Sequence, residues 1–133
     1  MKQNSIKLYL DIDGVLLVKN GSLANHTEAF LEWAIDNFEC YWLTTRDRRG
    51  LENIILAFKQ QLPIALINSI RPTQWETLKT EAIDLDSAFY WVDDGLLATE
   101  REAVGDRWIA VNVYKYPEGL LDVWEVLRGK VSE

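Results

Sequence analysis

Residues 6–16 read IKLYLDIDGVL, and this stretch decides how the rest of the chain is to be understood. Residues 6–10 are a β-favouring run, aliphatic or aromatic at every position but Lys7, which predicts a largely buried strand. The run ends at Asp11, and Gly14 breaks any continuation. Asp11 and Asp13 therefore stand at the carboxyl end of a buried strand, with a residue able to turn the backbone directly behind them.

Beyond this strand, residues 15–25 (VLLVKNGSLAN) carry a turn signal at Asn20-Gly21 and predict a small hairpin or flap. Ala29, Phe30, Trp33, Ala34 and Phe38 recur at helical spacing and predict a helix over 26–38. A second strand is expected at 40–43, with Thr44 and Thr45 at its end. A helix over 51–60, closed by Pro63, leads to a third strand at 64–67. A third helix is expected over 73–83, where Pro72 precedes a capping Thr73. Residues 88–92 form the next strand and end at Asp93-Asp94-Gly95. A short helix over 96–104, a fifth strand over 108–113 and a final helix over 118–127 complete the chain. Strand and helix alternate, with connections too long for hairpins. The pattern predicts an α/β fold with a mostly parallel five-stranded sheet and helices on both faces, in a single domain over residues 1–133.

The composition fits that fold and narrows the function. The chain has 133 residues, 48% hydrophobic and 26% charged, enough apolar content for a core without disulfide or zinc. The single cysteine, Cys40, lies in an apolar run and reads as a buried thiol. No secretory leader pattern and no membrane-spanning apolar stretch is present, so the expectation is a cytoplasmic protein without a membrane partner. A net charge of −7 and a pI near 4.7 argue against a general nucleic-acid binder.

In an open α/β sheet, ligands bind outside the carboxyl ends of the strands. Asp11/Asp13, Thr44/Thr45 and Asp93/Asp94 all fall at that edge. Taken singly, Asp before Gly is common turn chemistry, Asp93-Asp94 can cap the following helix, and Lys79 can be a solvated helix residue. Independent turns, however, have no reason to gather four carboxylates at one rim. Such crowding is costly unless a cation joins it. Mg²⁺, which takes oxygen ligands and pairs carboxylates with phosphate, is the cation expected.

These residues resemble the motifs of the haloacid dehalogenase-like superfamily, in order and across essentially the whole chain. LYLDIDGVL is similar to its first motif, YWLTTR to its second with Thr44 in place, and FYWVDDG to its fourth. The third motif is a lysine or arginine ahead of the fourth strand, and Lys79 matches by placement. The resemblance implies a three-layer Rossmann-like fold and a phosphatase, because Asp13 stands where carbon–halogen-cleaving members lack an acid. It implies Asp11 as nucleophile, forming an aspartyl-phosphate, and Asp13 as general acid and then base. Thr44 and Lys79 bind and neutralise the phosphoryl group. Mg²⁺ is implied between Asp11, the backbone carbonyl of Asp13, Asp93 and Asp94.

Relatives often insert a cap that selects the substrate. Here residues 15–26 suffice only for a flap, so the protein reads as capless. An open site suits a large phosphorylated substrate, such as a phosphoprotein or a nucleic-acid end, or an oligomer whose neighbour closes it. Arg46, Arg48 and Arg49 follow the second strand, with Thr45 beside them. They read either as a phosphate clamp or as a solvated helix start. His26, the only histidine, reads as a surface residue, and Trp75 as a residue lining the site entrance. The competing function is a catalytically silent binding or regulatory domain that holds Mg²⁺ or phosphate. One geometric condition is strict: Asp11 and Asp93 carboxylates more than about 8 Å apart could not share one Mg²⁺.

Overall fold

Leu8 and Leu10 are fully buried on one side of the first strand, and Tyr9 is buried on the other. An unbroken apolar run is what a strand covered on both faces requires. The computed structural model describes residues 6–46 and 51–131. Its strands are β1 (Lys7–Leu10), β2 (Glu39–Trp42), β3 (Phe89–Asp93) and β4 (Trp108–Ala110). They form one sheet in the order β2-β1-β3-β4, and every neighbouring pair is parallel. The architecture is α/β and compatible with a Rossmann-like fold.

The helices are α1 (Thr27–Asn37), α2 (Leu51–Ala57), α3 (Ile64–Asn68), α4 (Ala98–Val104) and α5 (Gly119–Val131). They cover the two faces unequally. Buried residues of α1, α2, α3 and α5 join Leu8, Leu10, Trp42 and Val92 in the larger core. On the other face Tyr9, Phe89 and Trp91 pack with Trp75, Ile83 and Val104, so one helix and a long loop do the covering.

Two expected elements differ. Residues 64–67 are not a strand but the start of α3. Pro63 precedes this helix, and its carbonyl accepts the Leu66 and Ile67 N–H groups. Ile64 stays 58% exposed, which a central strand would not allow. A four-residue apolar run carries too little periodicity to separate the two. The edge of β2 is met instead by a single parallel bridge from Tyr41 to Arg71, where Trp42 N–H donates to the Arg71 carbonyl. The sheet accordingly has four strands among the described residues.

The helix expected over 73–83 is also replaced. Only Lys79–Ala82 is helical, as one 3₁₀ turn. Thr73 does not cap a helix; its hydroxyl donates to the Trp42 carbonyl at 2.6 Å, holding the chain in its pairing with β2. Glu81 takes up the backbone N–H groups of Glu76, Thr77 and Leu78, which folds the segment into a tight loop just before Lys79.

The strand order matters for function. The chain leaves β1 for β2 on one side and returns to β3 on the other. The switch point therefore lies between β1 and β3, where a crevice opens beyond the strand ends. Asp11 follows β1 directly, and Asp93 closes β3.

Candidate active site

Asp11 N–H donates to the Val92 carbonyl at 3.0 Å, so the β1–β3 ladder runs up to the first carboxylate. The parallel register pairs Leu10 with Val92, which sets Asp11 beside Asp93. Both are buried, at 6% and 1% exposure. Carboxylate oxygens of Asp11, Asp93 and Asp94 all lie within 4.8 Å of one another. Two ligands of one Mg²⁺ stand at most about 4.2 Å apart, so this set needs to close by less than an ångström to share an ion. The strict condition of 8 Å is met with room to spare.

Lys79 enters the cluster from the other core face. Its Nζ lies 2.8 Å from Asp93 Oδ2 and 3.5 Å from Asp11 Oδ1. Burial works against the ammonium, but Asp11 and Asp93 outweigh it and hold its pKa above the ordinary lysine value. Glu100, 5% exposed, locks this arrangement: it accepts the Lys79 backbone N–H at 2.8 Å and that of Leu97 at 3.1 Å. Sequence reasoning missed Glu100. Its signal was a glutamate at the third position of α4, where a carboxylate reaches back to the residue before the helix.

One cation does not neutralise three carboxylates. Burial, then the charge of Asp93, push the Asp11 pKa up to about 8, although Lys79 pulls the other way. Burial and a hydrogen bond to Asp93 raise that of Asp94 to about 6. Protons thus take up charge that a divalent ion could carry, and the donor set, all oxygen and all anionic, suits Mg²⁺. Gly14 lets the pieces meet. Its φ of 80° lies in the left-handed region, and a β-carbon there would collide with the Asp94 carboxylate.

Asp13 is placed differently. Its carboxylate does not belong to the three-carboxylate cluster. It accepts Arg46 Nε and Nη2, both at 2.8 Å, in a two-pronged pair with side chains 36% and 39% exposed. Thr44 is buried beside β2, and its oxygen accepts the Arg46 N–H at 3.1 Å, which leaves the hydroxyl hydrogen to donate. Thr45 and Trp75 line a cavity of about 420 Å³ together with Lys79 and Glu100. His26 pairs with Glu118 at 2.8 Å instead of facing the cluster. Arg48 and Arg49 lie outside the described residues.

Compared with family models, with curated proteins and with solved structures, the chain gives no match. No helix among the described residues is long and apolar enough to cross a membrane.

Proposed function

We propose that this protein is a Mg²⁺-dependent phosphohydrolase of the haloacid dehalogenase-like kind, working through an aspartyl-phosphate on Asp11. The observation that carries the reading is the convergence of Asp11, Asp93 and Asp94 with the Lys79 ammonium at the switch point of a parallel sheet.

Asp11, Asp93 and Asp94, with the Asp13 backbone carbonyl, would hold the ion, which neutralises charge between nucleophile and phosphate. Asp11 attacks phosphorus while the bond to the leaving oxygen breaks, and Asp13 gives that oxygen a proton. A water then attacks the same phosphorus. Asp13, now ionised, takes a proton from that water, the Asp11–phosphorus bond breaks, and inorganic phosphate leaves. Thr44 donates its hydroxyl to a phosphoryl oxygen, and Lys79 offsets the charge on Asp11. These are positioning and electrostatic roles, from which phosphoryl transfer draws most of its acceleration.

Arg46 has a role in this scheme because a phosphate dianion offers its guanidinium the same fork as Asp13 does. Arriving substrate takes over Arg46 and leaves Asp13 free to act. The same pairing favours one competing reading, a domain that binds Mg²⁺ and phosphate without turnover, since Asp13 is engaged at both oxygens. A panel of phosphate monoesters assayed with and without Mg²⁺, beside Asp11→Asn, separates them. Turnover that needs both Mg²⁺ and Asp11 supports the hydrolase. Stabilisation by Mg²⁺ with no ester cleaved establishes the silent domain.

A further inference from the structure

Two cavities flank the carboxylate cluster. In the one beside Lys79 the charged groups are already committed, Lys79 to Asp11 and Asp93, and Glu100 to two backbone N–H groups. The other, of about 260 Å³, is bounded by Asp94, Trp108, Val111, Asn112, Tyr116 and Asp122. Asp94 joins this cavity to the carboxylate cluster, so a group bound there lies next to the reacting phosphate of the proposed reaction. The Gly14 carbonyl accepts the Val113 N–H at 2.9 Å, which ties this loop to the turn that carries Asp13.

We propose that this second cavity receives the base of a nucleoside monophosphate, whose nucleoside is the leaving group of the reaction set out above, and the proposal rests on that reading of the site. Among the described residues the lining contains no lysine or arginine, which does not suit a second phosphate or an acid. Trp108 and Tyr116 offer aromatic surface against which a planar ring can pack. The indole is held relative to the cluster, because its Nε1–H donates to the Asp93 carbonyl at 3.0 Å. Asn112 accepts the Tyr114 and Lys115 N–H groups at its Oδ1, 3.0 and 3.3 Å away, which leaves its amide hydrogens to donate. Asp122, ionised, can only accept.

The Asn112 amide as donor, the Asp122 carboxylate as acceptor and flat aromatic walls match a heterocycle whose edge carries both kinds of group. A phenyl ring lacks such an edge, and a sugar lacks the flat face. A carboxylate favours bases with adjacent N–H donors, guanine first among them. The volume lies just below the usual range for ligand pockets, so it takes one base and not a polymer.

The test compares kcat/KM for guanosine, adenosine and uridine 5′-monophosphates with that for 4-nitrophenyl phosphate, in Mg²⁺. It uses the wild type, Tyr116→Ala and Asp122→Asn, with circular dichroism melting to check that both variants fold. Calorimetric titration with guanosine, in the absence of Mg²⁺, reads the cavity independently of catalysis. The expected result is a nucleotide preference of tenfold or more, guanosine monophosphate leading, and a nucleotide-to-aryl ratio reduced about tenfold in each variant. An aryl phosphate cleaved as well as any nucleotide, or a ratio unmoved by both substitutions, overturns the base subsite while leaving the hydrolase intact. If no ester is cleaved, the hydrolase reading fails, and the titration decides the cavity. Guanosine binding lost in Tyr116→Ala supports it; no guanosine binding by the wild type overturns it.

Discussion

Two ion pairs sit at the same rim and could hardly be built more differently. Lys79 meets Asp11 and Asp93 with side chains only 11%, 9% and 1% exposed, and its backbone is anchored by buried Glu100. Arg46 meets Asp13 in good bidentate geometry, but both side chains are more than a third exposed. A buried pair cannot be opened without stranding charge in a poor solvent, whereas an exposed pair exchanges partners at little cost. The contrast suggests a division of labour: the Lys79 cluster fixes the electrostatics of the site, and the Arg46–Asp13 pair is the part that answers to substrate.

The largest effect is expected from the buried side. Lys79→Met keeps the apolar stem but strands Asp11 and Asp93. Breaking a buried pair typically costs about 3–5 kcal/mol, so urea melts at pH 8 should show a loss of that order. At pH 5 the loss should be smaller, because Asp11, with a value near 8, already carries a proton and less charge is stranded. A melt that matches wild type at both values would remove the contrast.

Asp13→Asn breaks the exposed pair and should behave the opposite way. Stability should change by no more than about 1 kcal/mol, while kcat should fall by roughly 10²–10⁴, the usual contribution of a general acid. An Asn variant as active as wild type would show that Asp13 is a surface partner of Arg46 and nothing more.

The pH dependence sharpens the same comparison. The Asp11 and Asp94 carboxyls bind protons more tightly folded than unfolded, with values near 8 and 6 against 3.8 for the free side chain. Their contribution to metal-free stability is therefore full below about pH 4, and is lost as pH rises through 6 and then 8. Mg²⁺ needs both groups ionised, so its stabilising effect should grow over the same window. At a hundred times its dissociation constant the ion adds about 2.7 kcal/mol, readable as a rise in Tm. A Mg²⁺-induced shift that is flat between pH 5 and pH 8.5 would contradict this assignment of ligands.

The smallest stability effect belongs to Arg46→Gln, within about 1 kcal/mol in thermal melts. KM for a phosphate ester should nevertheless rise about tenfold, the worth of one charged hydrogen bond. Unchanged KM would place Arg46 outside substrate recognition.

The sequence was most legible where a contiguous signal met a topological rule. The strand before Asp11, the strand ending at Asp93 and the helix over Thr27–Asn37 all stand close to their expected bounds, because each buries a regular apolar pattern. Asp11, Asp93, Asp94 and Lys79 were expected at one rim, and the structure brings them together. Lys79 arrives there for a reason its local sequence conceals. The helix expected around it is unwound by Thr73 bonding to Trp42 and by Glu81 gathering three backbone N–H groups. Asp13 was expected to meet the metal through its backbone carbonyl and to serve as acid and base through its carboxylate; that carboxylate pairs with Arg46, 33 residues away, through a contact between loops that no periodicity announces. Residues 64–67 failed as a strand because four apolar residues after a proline serve a short helix equally well.

The central claim is that Asp11 is the group phosphorylated during turnover. Rapid quench with a ³²P-labelled phosphate ester and Mg²⁺, followed by treatment of the denatured protein with hydroxylamine, tests it most directly. The account predicts label bound to wild type, released by hydroxylamine as expected of an acyl phosphate, and absent from Asp11→Asn and from metal-free protein. Ester hydrolysis that continues undiminished in Asp11→Asn would contradict it.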